Sequence, residues 1–124
     1  MSAPENAREQ LGRAGERLAE RFLKKRGFKL IARRFSTPVG ELDLIMRDHD
    51  TLVFVEVKTR SGTVCGSPLE AVDPRKQRRL VAAAQHFLVT HRCGGCPSRF
   101  DVIGVLWRGE VPEVEHVPNA FERR

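Results

Sequence analysis

The segment Val53-Phe54-Val55-Glu56-Val57-Lys58 constrains this chain more than any other part of it. It is short, rich in β-branched and aromatic residues, and apolar on both of its alternating sides, which marks a strand covered on both faces. Such a strand lies inside a sheet, with other elements above and below it. Two charged residues, Glu56 and Lys58, nevertheless interrupt it. Central strands seldom carry charge without a partner or a task, because an unpaired buried charge is costly.

The remaining segments supply what must surround that strand. Residues 5–26 read as a helix, with Leu11, Gly15, Leu18, Ala19, Phe22 and Leu23 at the spacing of one face and Gly27 as the stop. Residues 28–35 are β-compatible, with Phe28, Leu30 and Ala32 on one side and Lys29, Ile31 and Arg33 on the other. Residues 40–47 and 51–59 flank Asp48-His49-Asp50 as a hairpin, and a Gly-containing loop, 61–67, follows. Asp73-Pro74 opens a second helix as N-cap and first helical residue; Leu80, Ala83, Ala84, Phe87 and Leu88 line its inner face, and it ends near His91. Residues 99–107 and 111–117 form two more strands around Arg108-Gly109-Glu110. The order is helix, three strands, helix, two strands. A chain of 124 residues supports one domain, so the expectation is a single α/β unit with a central mixed sheet of about five strands flanked by helices. Its ordered core should span 5–117, with 1–4 and 118–124 frayed.

The hairpin carries the chemistry. If its turn is centred between His49 and Asp50, Arg47 faces Leu52, Ile45 faces Phe54, and Asp43 faces Glu56. Opposed side chains stand ~5 Å apart at Cβ, where two like charges destabilise one another. The Ile45 and Phe54 pair places the same face in the interior, which raises that cost. A divalent cation with oxygen ligands would turn the repulsion into binding, and Mg²⁺ held by two carboxylates keeps waters to exchange for a phosphate. Lys58, two residues past Glu56 on the same side, would stabilise negative charge developing on that phosphate. The alternative is an ordinary solvated pair of strands, with Asp43, Glu56 and Lys58 as surface residues.

Charge and cysteine content bound the partners. Lys plus Arg number 22 against 16 Asp plus Glu, a formal +6 that favours encounter with polyanions. No apolar run approaches the ~20 residues needed to cross a bilayer, and the first residues lack the apolar core of a secretion signal, so a cytoplasmic protein with no membrane partner is expected. Three cysteines, an odd number, argue against a disulfide framework and for thiols in a reducing compartment. Cys93-Gly94-Gly95-Cys96 has the spacing of half a zinc knuckle, but neither Cys65 nor His91 belongs to a second paired motif, and zinc is not expected.

Arg75, Lys76, Arg78 and Arg79 crowd the first turns of the second helix, where the helix dipole disfavours cations. An arriving phosphate would relieve that strain and also meet the free backbone N–H groups there, although Asp73 at the cap offsets part of it. Arg60 would extend the basic rim, and Arg33 and Arg34 would add to it from the other side. With few aromatics and no Tyr, binding of backbone and shape is expected rather than base stacking.

Gly15-Glu16, Gly40-Glu41-Leu42-Asp43-Leu44-Ile45, Phe54-Val55-Glu56-Val57-Lys58-Thr59-Arg60 and Arg99-Phe100-Asp101-Val102 together resemble the YraN-like family of uncharacterised bacterial proteins, from about Leu11 to Gly104. That family looks like a member of the PD-(D/E)xK nuclease superfamily, with the restriction endonuclease-like fold shared by Holliday junction resolvases. The resemblance implies that Asp43 and Glu56 hold Mg²⁺ (or Mn²⁺) with the carbonyl of Val57, that Lys58 is the catalytic cation, and that Glu16 is the helix carboxylate. Glu16 stacks with Ala19 and Leu23 at the edge of the apolar stripe, though pairing with Lys24 or Arg13 would also account for it. Leu42 stands where the superfamily's Pro precedes the Asp, and the Cys93 to Cys96 segment is outside the pattern. The expected activity is metal-dependent endonucleolytic hydrolysis of DNA, branched or structured, by a chain able to act as a homodimer. A non-cleaving nucleic-acid-binding module and an interaction protein for an acidic partner are the alternatives.

Overall fold

The computed structural model of the chain describes residues 6–62 and 66–122. Helix α1, Ala7–Lys25, starts where the Asn6 side chain accepts the Glu9 N–H and ends before Gly27, whose φ of 94° suits glycine alone. Strands β1 (Lys29–Thr37), β2 (Gly40–Asp48) and β3 (Thr51–Ser61) follow. A short 3-10 turn, Pro68–Ala71, leads into α2, Pro74–Thr90, capped by Asp73 through the Lys76 N–H. Strands β4 (Ser98–Arg108) and β5 (Val111–Phe121) complete the chain.

The five strands lie side by side in chain order. All neighbours are antiparallel except β3 and β4, which run parallel because the turn and α2 carry the chain back across the sheet between them. The mixed sheet between two helices is therefore the expected α/β architecture, in the expected order. β3 sits at its centre, and residues 52–57 are all buried.

Alternation along β3 divides the interior into two layers. Leu52 and Phe54 join Leu42, Ile45 and the inner face of α2, while Val53, Val55 and Val57 join Ala19 and Leu23 of α1. The hairpin register is the expected one, with Arg47 opposite Leu52 and Ile45 opposite Phe54.

Three expectations need correction. Ala32 does not share a side with Phe28 and Leu30: the β1–β2 register shifts between Leu30 and Ala32, so Leu30 packs on the α1 layer and Ala32 on the α2 layer. Residues 118–121 are not frayed but belong to β5, where Phe100 pairs with Phe121 and their rings stack at 4.8 Å. Cys93 and Cys96 are joined by a disulfide rather than held as thiols; the tight turn after α2 closes with the Cys96 N–H on the Cys93 carbonyl and brings their Cα atoms to 5.2 Å, within the span a disulfide bridges. Residues 1–5, 63–65 (Cys65 among them) and 123–124 lie outside the described residues, so the expected fraying of 1–4 and of the last two residues, and the middle of the 61–67 loop, fall there.

Candidate active site

The site forms where β2 parts from β3. Backbone register between them runs from Asp48 opposite Thr51 to Leu44 opposite Val55. One step further the Val57 N–H donates to Asp43 Oδ2 at 2.9 Å, so a side chain takes over from the ladder. A strand residue's N–H and C=O project to the same edge, so the Val57 carbonyl also faces this gap.

Alternation after Phe54 turns Glu56 and Lys58 toward α2. Glu56 is only 6% exposed. Burial, and Glu56 next to it, push the Asp43 carboxyl up to about 8, against the pull of the Val57 N–H and Lys76. Asp43 and Glu56 thus meet where β2 leaves β3, beyond the last paired residues of the hairpin, and burial together with the neighbouring acid makes ionising Asp43 costly.

Lys76 answers part of that cost. Its Nζ lies 3.2 Å from Glu56 Oε2. Lys76 stands one turn before Leu80 on the inward stripe of α2, so it points onto β3 rather than outward with Arg75, Arg78 and Arg79, which are exposed. That i to i+4 spacing was the signal available in the sequence. Lys58 lies beside Lys76, and burial together with that second ammonium lowers its proton affinity, while Glu56 and Asp43 oppose the shift.

Glu16 approaches from the other layer. A Cβ on Gly15 would run into the Thr59 side chain, so glycine there lets α1 settle directly on β3 and delivers Glu16 to the Asp43 side of the gap. Burial raises its proton affinity, and Asp43 adds to the rise. Its carboxylate is nevertheless engaged, accepting Arg34 Nε at 3.1 Å and Nη2 at 3.0 Å. Arg33 likewise grips the buried Glu20 at 2.6 and 2.9 Å. Neither guanidinium is an idle surface cation, because both brace β1 against α1. Arg60 is half-buried near the end of β3, in a cleft that also contains Lys58, Gly104 and Pro68.

Asp101 has a different task. It lies between Phe100 and Val102, which pack on the α2 layer, so it faces α1, away from Glu56. Fully buried, it accepts Arg99 Nε at 3.0 Å and the Asn119 N–H at 2.9 Å, and sits 2.8 Å from His116 Nε2. Arg99 also reaches Asp48 at 3.1 Å. This network ties β2, β4 and β5 together.

The oxygen donors here are of the kind a hard divalent cation takes. Two carboxylates and a strand carbonyl converge on one gap, and the acids are held together at a cost that a cation would remove. Among the described residues, no three His, Cys, Asp or Glu side chains gather as a cluster able to hold an ion by themselves. Asp43, Glu56 and the Val57 carbonyl would therefore supply the protein ligands, with water completing the shell.

A mixed sheet between two helices, with an Asp on one strand and Glu-x-Lys on the next, defines an α/β protein of restriction endonuclease-like architecture. The uncharacterised protein family UPF0102 matches residues 15–105, which contain all of these side chains. The chain belongs to that family. It is 49% identical over 112 residues to a UPF0102 protein of Syntrophotalea carbinolica, covering 90% of this chain and 91% of that one. It is also 45% identical over 113 residues to one from Geotalea uraniireducens (90% and 89% covered) and 43% identical over 121 residues to one from Myxococcus xanthus (98% and 95% covered).

Proposed function

We propose that this chain is a metal-dependent nuclease that hydrolyses phosphodiester bonds in DNA, with branched or otherwise structured DNA as the preferred substrate. One observation carries the reading: Asp43 and Glu56 are held together in a half-closed gap, with the Val57 edge and Lys58 beside them. A bound Mg²⁺ or Mn²⁺ would polarise the phosphate and lower the pKa of a water molecule. In the reaction, a water molecule gives up a proton as its oxygen bonds to phosphorus, the bond to the leaving sugar oxygen breaks, and that oxygen takes up a proton from solvent.

The chain's own residues divide the remaining work. Asp43 and Glu56 present oxygens, and the Val57 N–H fixes the orientation of Asp43. Lys58 holds its ammonium where charge grows on the phosphoryl oxygens, and its half-buried setting strengthens that interaction over the same contact in water. Exposed Arg75 and Arg79 on α2, with Arg60 at the end of β3, offer a basic approach to the site, which favours contact with backbone phosphates over base reading. Cutting both strands of a duplex would call for two copies of so small a site.

A second reading has an observation in its favour. Lys76 already pairs with Glu56, and the carboxylates do not form a three-member cluster among the described residues, as suits a module that binds nucleic acid without cutting it. Purified chain incubated with linear duplex, single-stranded and branched DNA, and with RNA, in Mg²⁺ or Mn²⁺ separates the two. Cuts that disappear in Lys58→Ala and Asp43→Asn are expected. Retarded DNA that stays intact throughout would replace the nuclease with the binding module.

A further inference from the structure

The inner stripe of α2 is apolar at Leu80, Ala83, Ala84, Phe87 and Leu88, and Lys76 is the charged residue that begins it. Its position is unfavourable on two counts: an ammonium in the first turn of a helix opposes the dipole, and partial burial strips it of water. Against these stand the Asp43 and Glu56 carboxylates, with Glu56 Oε2 at 3.2 Å and its side chain 7% exposed against 36% for Lys76. Those two acids are what keep the ammonium inward.

We propose that Lys76 is the resident counter-ion of the Asp43 and Glu56 pair, and that a divalent cation binds by displacing it. The inference rests on the metal-dependent reading above and deepens it. The Lys76 Nζ already occupies Glu56 Oε2 at 3.2 Å, an oxygen that a divalent ion held by both acids would need, and two cations so close on one carboxylate repel each other, so one of them must leave. Lys58 projects from the central strand of the sheet. Lys76 stands at the edge of α2 on a flexible four-carbon stem and can swing toward solvent, beside the exposed Arg75 and Arg79. Arg33 and Arg34 are poorer candidates for release, since each is gripped by two hydrogen bonds to its own glutamate.

Competition of this kind has a signature that does not depend on catalysis. Thermal melts of EDTA-treated protein are recorded across a Mn²⁺ titration for the wild type, Lys76→Met and Lys76→Arg. Removing the competitor should lower the Mn²⁺ concentration at half-maximal stabilisation by about tenfold in Lys76→Met, because the site no longer has to be vacated by the lysine first. The metal-free Met variant should melt below the wild type, and the gap should close at saturating Mn²⁺. Lys76→Arg, which keeps a cation on Glu56, should stay within about twofold of the wild type. If Lys76→Met does not fold, Lys76→Gln carries the same expectation. A midpoint that is unchanged or higher in the neutral variant, while the wild type still responds to Mn²⁺, overturns the counter-ion role and leaves the metal site intact. Absence of any Mn²⁺ response in all the proteins overturns this role and the metal-dependent reading together.

Discussion

Asp43 Oδ2 accepts the Val57 N–H at 2.9 Å at the point where the backbones of β2 and β3 separate. One carboxylate therefore completes the hydrogen bonding of the central strand and also meets Glu56, the acid it would share an ion with. The second contact is costly without metal.

That cost gives the first prediction. Burial and Glu56 raise the Asp43 carboxyl to about 8, whereas the unfolded chain releases the same proton near 4. Between these values the folded state binds more protons than the unfolded one, so stability is full below about pH 4 and falls as pH rises toward about 8. Urea unfolding of metal-free protein should show a lower midpoint at pH 8 than at pH 5. Asp43→Asn should flatten that dependence and, at pH 8, be the more stable protein by about 1–3 kcal/mol, while losing the stabilisation that Mn²⁺ confers. An Asn variant less stable than the wild type at pH 8 would remove the argument for a strained acidic pair.

Gly15 sets how closely α1 approaches the site. Helix propensity alone predicts that Gly15→Ala gains about 1 kcal/mol. The added Cβ, however, meets the Thr59 side chain, and the structure gives overpacking the larger weight, with a net loss of about 1–3 kcal/mol in chemical denaturation. Combining Gly15→Ala with Thr59→Gly should recover part of that loss, giving a coupling energy that neither change alone contains. Simple addition of the two effects would place the contact elsewhere.

Asp101 separates structural from chemical residues in the family pattern. It is fully buried, faces α1, and satisfies Arg99, His116 and the Asn119 N–H. Its partners hold its carboxyl below the usual range despite burial, so its stabilisation is present above pH 4 and fades as pH falls through the lowered value. Asp101→Ala strands the buried end of Arg99 and should cost about 3–5 kcal/mol. The Mn²⁺-induced shift in melting temperature should survive in whatever fraction folds. Loss of the metal response at full stability would make Asp101 part of the ion site.

The fold was legible where a local pattern had one solution. Val53 to Lys58, apolar on both sides, could only be central, and the short His49-Asp50 turn then set which residues of β2 and β3 face each other. Asp73-Pro74 marked the start of α2 to the residue. What stayed hidden depended on geometry without a local signature. The β1 bulge is one extra residue that carries no motif, and it reversed the side of Ala32. Pro118 reads as the end of a strand, yet β5 is an edge strand and accommodates it. Glu16 and Glu20 found Arg34 and Arg33, partners 18 and 13 residues away, which no helical spacing could reveal. Lys76 carries both signals at once: its spacing to Leu80 points inward, while its basic neighbours Arg75, Arg78 and Arg79 belong to the outward face.

That regrouping changes which cations should touch nucleic acid. Arg75, Arg78 and Arg79 are exposed on α2, whereas Arg33 and Arg34 each hold a carboxylate of α1. A phosphate contact releases counterions, so each one lost lowers the slope of log affinity against log salt by about 1. Arg75→Ala with Arg79→Ala should therefore weaken binding to any DNA sequence and cut the salt slope by about 2 in a titration from low to moderate salt. Arg33→Ala should leave the slope within about 0.5 of the wild type and act instead on folding, by releasing the buried Glu20 from its partner. A slope that falls for Arg33→Ala and holds for the α2 pair would move the nucleic-acid face from α2 to the α1 and β1 side of the molecule.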